Sequence, residues 1–153
     1  MGVATSDEAW MQTALLLARE AGEIGEVPVG AIVVSGGDIV GRGFNQMIMT
    51  DDPTAHAEIV ALRQAAQTLG NYRLTGSSMF VTIEPCSMCA GAMIHARIET
   101  LHFAAREPRA GAAGSSIDVF ANPGVNHRVD VMPGLCEAEA SELMTQFFKV
   151  RRS

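Results

Sequence analysis

The chain has 153 residues and a mass of 16.2 kDa, with 48% hydrophobic and 18% charged residues. That is the size of one domain, which hides about two-thirds of its unfolded surface, and the composition excludes disordered, collagen-like and disulfide-scaffold classes. The net charge of −6 argues against indiscriminate coating of nucleic acid, which rests on clustered Lys and Arg.

The elements are read as one continuous domain over residues 1–153. Thr5 and Glu8 have capping-box spacing, and Trp10, Met11, Ala14, Leu15, Ala18 and Ala21 recur at helical intervals, predicting a helix from Asp7 to Gly25. Val29 to Val34 and Ile39 to Phe44 read as two strands joined by a Gly36-Gly37 turn. Asp51-Asp52-Pro53-Thr54 reads as a helix entry, with Ile59, Leu62, Ala66 and Leu69 following at helical spacing until Gly70. Met79 to Ile83 is a third strand, after which Pro85 opens a helix over Cys86 to Arg97. A fourth strand spans Thr100 to Ala104, a Gly- and Ala-rich stretch runs from Arg109 to Ser116, and a fifth strand covers Arg128 to Met132. The last helix is expected from Cys136 to Val150. Helices interleaved with such strands make an α/β protein, with a mixed five-stranded sheet between helices on both faces.

His56-Ala57-Glu58 and Pro85-Cys86-Ser87-Met88-Cys89 each stand near a predicted helix start. Two thiolates at i and i+3 share one face of a helical turn, and an imidazole from another helix completes three ligands for tetrahedral zinc. The positive ends of the helix dipoles favour thiolate over thiol. A structural zinc site closes with four protein ligands, whereas three leave a position for water, whose pKa zinc lowers to about 7. Glu58, two residues past the histidine, is placed to move that water's protons without being a ligand. With three cysteines, two of them in this cluster, the chain suits a reducing compartment better than a disulfide framework.

H-x-E with P-C-x-x-C is the known zinc-deaminase signature, and both halves stand in this chain. Beyond it, the chain resembles the bacterial tRNA-specific adenosine deaminases of the cytidine/deoxycytidylate deaminase superfamily over roughly residues 8 to 152. The stretches that carry the likeness include Glu26-Val27-Pro28-Val29-Gly30-Ala31, Asp52-Pro53-Thr54-Ala55-His56-Ala57-Glu58, Asn71-Tyr72-Arg73-Leu74, Glu84 through His95, Gly111 through Ser115, and Asn126-His127-Arg128. The resemblance implies a cytidine deaminase-like three-layer α/β/α sandwich that hydrolyses adenosine to inosine at the wobble position of a tRNA anticodon. It implies one zinc per subunit on His56, Cys86 and Cys89, Glu58 as proton shuttle, and Asn45 and Ala57 at the target base. It also implies a homodimer whose partner is a tRNA anticodon stem-loop. One departure stands out: the family often has Asp after the Arg that follows the fourth strand, and here Arg106 precedes Glu107.

The charge distribution leaves room for RNA. Residues 1–60 carry nine acidic and two basic groups, whereas residues 61–153 carry eight and nine. Arg106, Arg109 and the end of the chain, with Phe147, Phe148, Lys149, Arg151 and Arg152, are expected to form a local basic rim in which aromatic rings stack on bases and cations meet phosphates. His95, His102 and His127 read as packing, strand or loop histidines, with RNA contact a second option for His127, and Cys136 reads as a packing cysteine. The nine methionines read as core filling. Gly41-x-Gly43 lacks the third glycine of a dinucleotide fingerprint. Gly2 with Ser6 fits the loose, common myristoylation pattern, which carries little weight. Without signal peptide or membrane span, the chain is expected in the cytoplasm. Two rivals share the residues: a deaminase of a free base or nucleoside, and a catalytically silent zinc-stabilised RNA-binding scaffold.

Overall fold

The computed structural model describes residues 6–152, the first and last by backbone alone. The Thr5 capping box and the Gly2 pattern lie outside the described residues. The elements are α1 (Ser6–Glu23), β1 (Gly30–Ser35), β2 (Asp38–Phe44), α2 (Met47–Thr50), α3 (Ala57–Leu69), β3 (Ser78–Ile83), α4 (Ser87–His95), β4 (Thr100–Ala105), β5 (Asp130–Pro133) and α5 (Glu137–Arg152). The strands form one sheet in the order β2-β1-β3-β4-β5, antiparallel from β2 to β3 and parallel from β3 to β5. This is the expected five-stranded mixed sheet.

Alternation along the strands separates two apolar layers. Ile32, Val34, Phe80 and Ala104 face one way and pack with Met11, Ala14 and Leu15 of α1 and Ala140 of α5. Ala31, Val33, Met79, Val81, Leu101 and Phe103 face the other way, against Ala57, Ala61 and Ala65 of α3 and Cys89 and Met93 of α4. Glycines bring the helices close. A Cβ at Gly30 would run into the backbone of α1 at Ala14 and Ala18, and one at Gly43 into that of α3 at Ala57 and Ala61. Gly36 and Gly37 have φ of 59° and 82°, as a two-residue hairpin turn with matching twist demands.

The structure revises several boundaries. Asp51-Asp52-Pro53-Thr54 is a turn and not the helix entry: Asp52 Oδ1 accepts from the Thr54 amide at 2.9 Å and the Thr54 hydroxyl at 2.7 Å, and α3 starts at Ala57. Pro85 likewise lies before α4, which opens at Ser87 after Cys86 as N-cap. The short α2 has no signal in the hydrophobic pattern, since its Ile48 and Met49 are exposed. It is held instead by buried Glu26, whose carboxylate accepts from the Ile48 and Met49 amides at 3.3 and 2.8 Å.

Candidate metal centre and active site

His56 and Cys86 are the N-caps of α3 and α4, both with extended backbone (φ −67°, ψ 152° and φ −77°, ψ 176°). A typical N-cap side chain accepts a hydrogen bond from its own helix. Neither of these does. Their ligand atoms turn towards each other: His56 Nδ1 is 3.7 Å from Cys86 Sγ and 3.5 Å from Cys89 Sγ, and all three lie within 4.8 Å of one another. Tetrahedral zinc, with Zn–S of about 2.3 Å and Zn–N of about 2.0 Å, separates N from S by about 3.5 Å. The donor set therefore fits zinc in chemistry and spacing. Among the described residues no other group of three His, Cys, Asp or Glu side chains is close enough to hold a metal.

Electrostatics in the cluster run in opposite directions. The Cys86 thiol is brought down to about 3 chiefly by the hydrogen bond from Cys89, with His56 adding to it. The same bond and burial push Cys89 up, and the bond to Cys86 raises His56. Glu58 stands in the first turn of α3, 3% exposed, and burial lifts its carboxyl to about 7.

The cluster opens into a cavity of about 230 Å³. Its floor is built by Val29, Asn45, Glu58 and Ile83, one wall by Glu107 and Ala110 of the β4–β5 loop, and another by Met144 and Phe148 of α5. Asn45 Oδ1 accepts from the Ala57 amide at 2.8 Å, supplying the cap that His56 does not and leaving the Asn45 NH2 for a ligand.

The profile of the cytidine and deoxycytidylate deaminase zinc-binding region matches residues 4–105. The tRNA-specific adenosine deaminase of Haemophilus influenzae is 46% identical over 95% of this chain and 85% of its own length, and that of Agrobacterium fabrum is 44% identical over 94% of each. The chain belongs to the tRNA-specific adenosine deaminase family. A solved structure from studies of A-to-I editing by tRNA:A34 deaminases at the wobble position of transfer RNA superposes with a TM-score of 0.86 at 44% identity, covering 88% of this chain and 98% of the other. The guanine deaminase of Nitrosomonas europaea shares the fold at 25% identity and a TM-score of 0.81, over 95% of this chain and 86% of its own. The protein is thus a zinc-dependent deaminase with the cytidine deaminase-like fold.

This deaminase brings together only some of the residues singled out in its sequence. His56, Glu58, Cys86, Asn45 and Phe148 line the cavity, and Cys89 closes the ligand set behind it. Ala57 does not line it: its side chain is in the core and its amide is taken by Asn45. Phe147 and Arg151 lie in a separate groove between α1 and α5, where the Arg151 guanidinium sits 4.2 Å from the Phe147 ring centroid and donates to the Gly25 carbonyl at 3.0 Å. Adjacent positions on a helix point about 100° apart, so Phe147 and Phe148 line different clefts although their rings meet edge to face with centroids 5.3 Å apart. Lys149, Arg106 and Arg109 are exposed, and the Arg152 side chain lies outside the described residues.

His102 stacks on Phe80 at 4.5 Å and faces Asp7. His127 donates from Nε2 to the Ile98 carbonyl at 2.8 Å, and Arg97 donates to Asn126 Oδ1 at 3.0 Å, so the Asn126-His127 pair ties the loop to the end of α4. Cys136 takes φ of 60° just before α5. Sequence reasoning does not single out Glu84, a carboxylate at the end of a buried strand with only 2% exposure. An acid directly before Pro85-Cys86, following an apolar run, is the one signal that could have found it.

No helix among the described residues is long and apolar enough to cross a membrane.

Proposed function

We propose that this deaminase converts adenosine to inosine by hydrolysis at the wobble position of a tRNA anticodon. The observation that carries the reading is the meeting of His56, Cys86 and Cys89 with a buried Glu58 at one cavity, in a chain whose near relatives are tRNA-specific adenosine deaminases. His56, Cys86 and Cys89 would hold the zinc ion. Bound there, zinc supplies a Lewis acid that lowers the pKa of a water in its open position to about 7.

Glu58 is the proton carrier. Its carboxylate takes a proton from the attacking water and passes it to the ring nitrogen N1 beside C6, then takes the remaining proton of the added C6 hydroxyl and delivers it to the 6-amino group, which leaves as ammonia while C6 becomes the carbonyl of inosine. Burial keeps bulk water from competing for these transfers. Asn45, its oxygen fixed on the Ala57 amide, directs its NH2 towards an acceptor on the base. A stacked base cannot present C6 to such a site, so the enzyme takes an unstacked one, which anticodon loops supply at little cost. Phe148 at the cavity and the exposed Arg106, Arg109 and Lys149 provide stacking and phosphate contacts.

The acting species is a homodimer in the cytoplasm. In support, an apolar groove lined by Ile59, Leu62, Ala66, Leu74 and Ala92 carries the exposed Tyr72 at its rim. Light scattering of the zinc-loaded protein is expected to give twice the mass of the chain, and a monomer at micromolar concentration would remove this part of the reading.

The substrate is tested by incubating the protein with an anticodon stem-loop bearing wobble adenosine, alongside free adenosine, guanine and cytosine. Inosine in the RNA alone is expected. Ammonia from a free base alone would instead fit the fold shared with guanine deaminase, and bound zinc without any product would favour a scaffold.

A further inference from the structure

The wall of the cavity formed by the β4–β5 loop lacks regular secondary structure, yet it is held from beneath by one side chain. Glu84 closes β3 and points its carboxylate into the loop. Oε1 accepts from the Glu107 amide at 3.1 Å and from the Ser115 hydroxyl, and Oε2 accepts from the Ala113 and Ser115 amides, each at 3.0 Å. Four donors from a span of nine residues thus converge on one buried group. Its desolvation is offset by charge-assisted bonds, which are about twice as strong as neutral ones. Gly111 makes the arrangement possible, because a Cβ there would lie 2.5 Å from Glu84 Cδ and 2.6 Å from Oε1. Further ties come from the Ala112 amide to the Pro85 carbonyl at 2.8 Å and from the Arg109 amide to Glu107 Oε1 at 2.8 Å.

The consequence is geometric. The ligands and Glu58 stand at the starts of α3 and α4, whereas Glu107 and Ala110 line the same cavity from a loop whose Glu107, Ala113 and Ser115 amides are bonded to Glu84. We propose that Glu84 is a positioning residue: by anchoring residues 107–115 it sets the width of the cavity opposite the metal ligands, and so determines how tightly an RNA-borne adenosine seats there. Glu84 borders the cavity beside Ile83 and Cys86, but both of its oxygens are engaged by the loop, so it acts through those bonds and not on a reacting atom. The inference rests on the substrate reading above only where it names the adenosine.

Amide geometry makes Glu84→Gln informative. Whichever way the new side chain turns, an NH2 replaces an accepting oxygen, so either the Glu107 amide or the Ala113 and Ser115 amides lose their acceptor. Gly111→Ala displaces the same carboxylate from the other side, and Ser115→Ala removes one donor only. With zinc-loaded full-length protein, three readouts are taken: zinc content, hydrogen exchange of the Glu107, Ala113 and Ser115 amides, and steady-state kinetics on the wobble-adenosine stem-loop.

Glu84→Gln and Gly111→Ala are expected to keep one zinc per chain, speed exchange of those amides at least about tenfold, and raise KM about tenfold with kcat within about threefold. Ser115→Ala shifts the same quantities less and keeps the test open if the stronger variants fold poorly. Phe80→Leu on the opposite face serves as a purely structural control, expected to lower the melting temperature and leave KM unchanged. Unchanged exchange, lost zinc, or a fall in kcat at constant KM would overturn the proposal. If the wild type leaves the stem-loop unmodified, the substrate reading fails, while the exchange measurement still decides whether Glu84 holds the wall.

Discussion

The two faces of the sheet obey the same packing rules and differ in what their helix starts do. On the α1/α5 face, Met11, Ala14, Leu15 and Phe80 fill an apolar layer that contains none of the ligands. On the α3/α4 face the layer is equally apolar at Ala61, Met79 and Leu101, yet the two helices begin with His56 and Cys86 as N-caps that make no capping bond. The usual cap contribution of about 1 kcal/mol is forgone at α4 and supplied at α3 by Asn45 in place of His56, and the freed side-chain atoms converge as a ligand set. The helix starts of the second face serve the site, whereas the first face contributes to it only through Met144 and Phe148 near the end of α5.

Matched truncations across the sheet test this contrast most severely. Glu58→Ala is expected to keep fold and zinc while losing about 10²–10⁴-fold in turnover, whereas Met11→Ala is expected to cost about 2–5 kcal/mol and leave the folded fraction fully active. Denaturant melts with single-turnover assays would measure both, and a Glu58 variant with wild-type turnover would remove its assigned role.

A paired glycine experiment is milder. Gly30→Ala and Gly43→Ala each force a methyl into a helix backbone, against α1 and α3 respectively, and each should cost about 1–3 kcal/mol. Only Gly43→Ala, which presses on Ala57 beside His56, is expected to weaken zinc retention against a chelator. Equal zinc loss from both would mean that the faces are not separable.

Cys86→Ser places a good capping residue at the start of α4. Without metal it is expected to be more stable than the wild type by up to about 1 kcal/mol, while binding no zinc at catalytic strength. Thermal melts in chelator would show the reverse order if the Cys86 side chain does cap its helix.

The smallest effect concerns His102, whose pKa is lowered from 6.5 by burial, with Asp7 opposing. A depressed histidine pKa means that the unfolded chain binds more protons, so this contribution to stability is intact above about pH 6.5 and declines as pH falls below it. His102→Phe keeps a ring on Phe80 and should flatten the stability profile between about pH 7 and pH 5. An unchanged slope would show that His102 does not titrate differently in the folded state.

What could be read before the fold was known follows from locality. Helical spacing from Trp10 to Ala21, the Gly36-Gly37 turn and the two-residue gap between Cys86 and Cys89 are short-range facts that the chain states directly. The zinc ligands and Glu58 were legible for the same reason, since each half of the site is a short stretch at a helix start. Boundaries slipped where a side chain from far along the sequence decides the matter. Glu26 holds α2 from over 20 residues away, and at the start of α3 the oxygen of Asn45 caps the Ala57 amide.

The sequence by itself thus determined the fold class and brought His56, Glu58, Cys86 and Cys89 to notice, because periodicity and the local signature lie within a turn or two of helix. Tertiary structure alone decided which residues face the cavity. It turned Phe147 and Phe148 to different clefts, took the amide of Ala57 into the core, and set Glu84 against a loop whose Ser115 is 31 residues away. Those outcomes depend on buried polar groups finding partners across the folded chain, and no local pattern records where such partners stand.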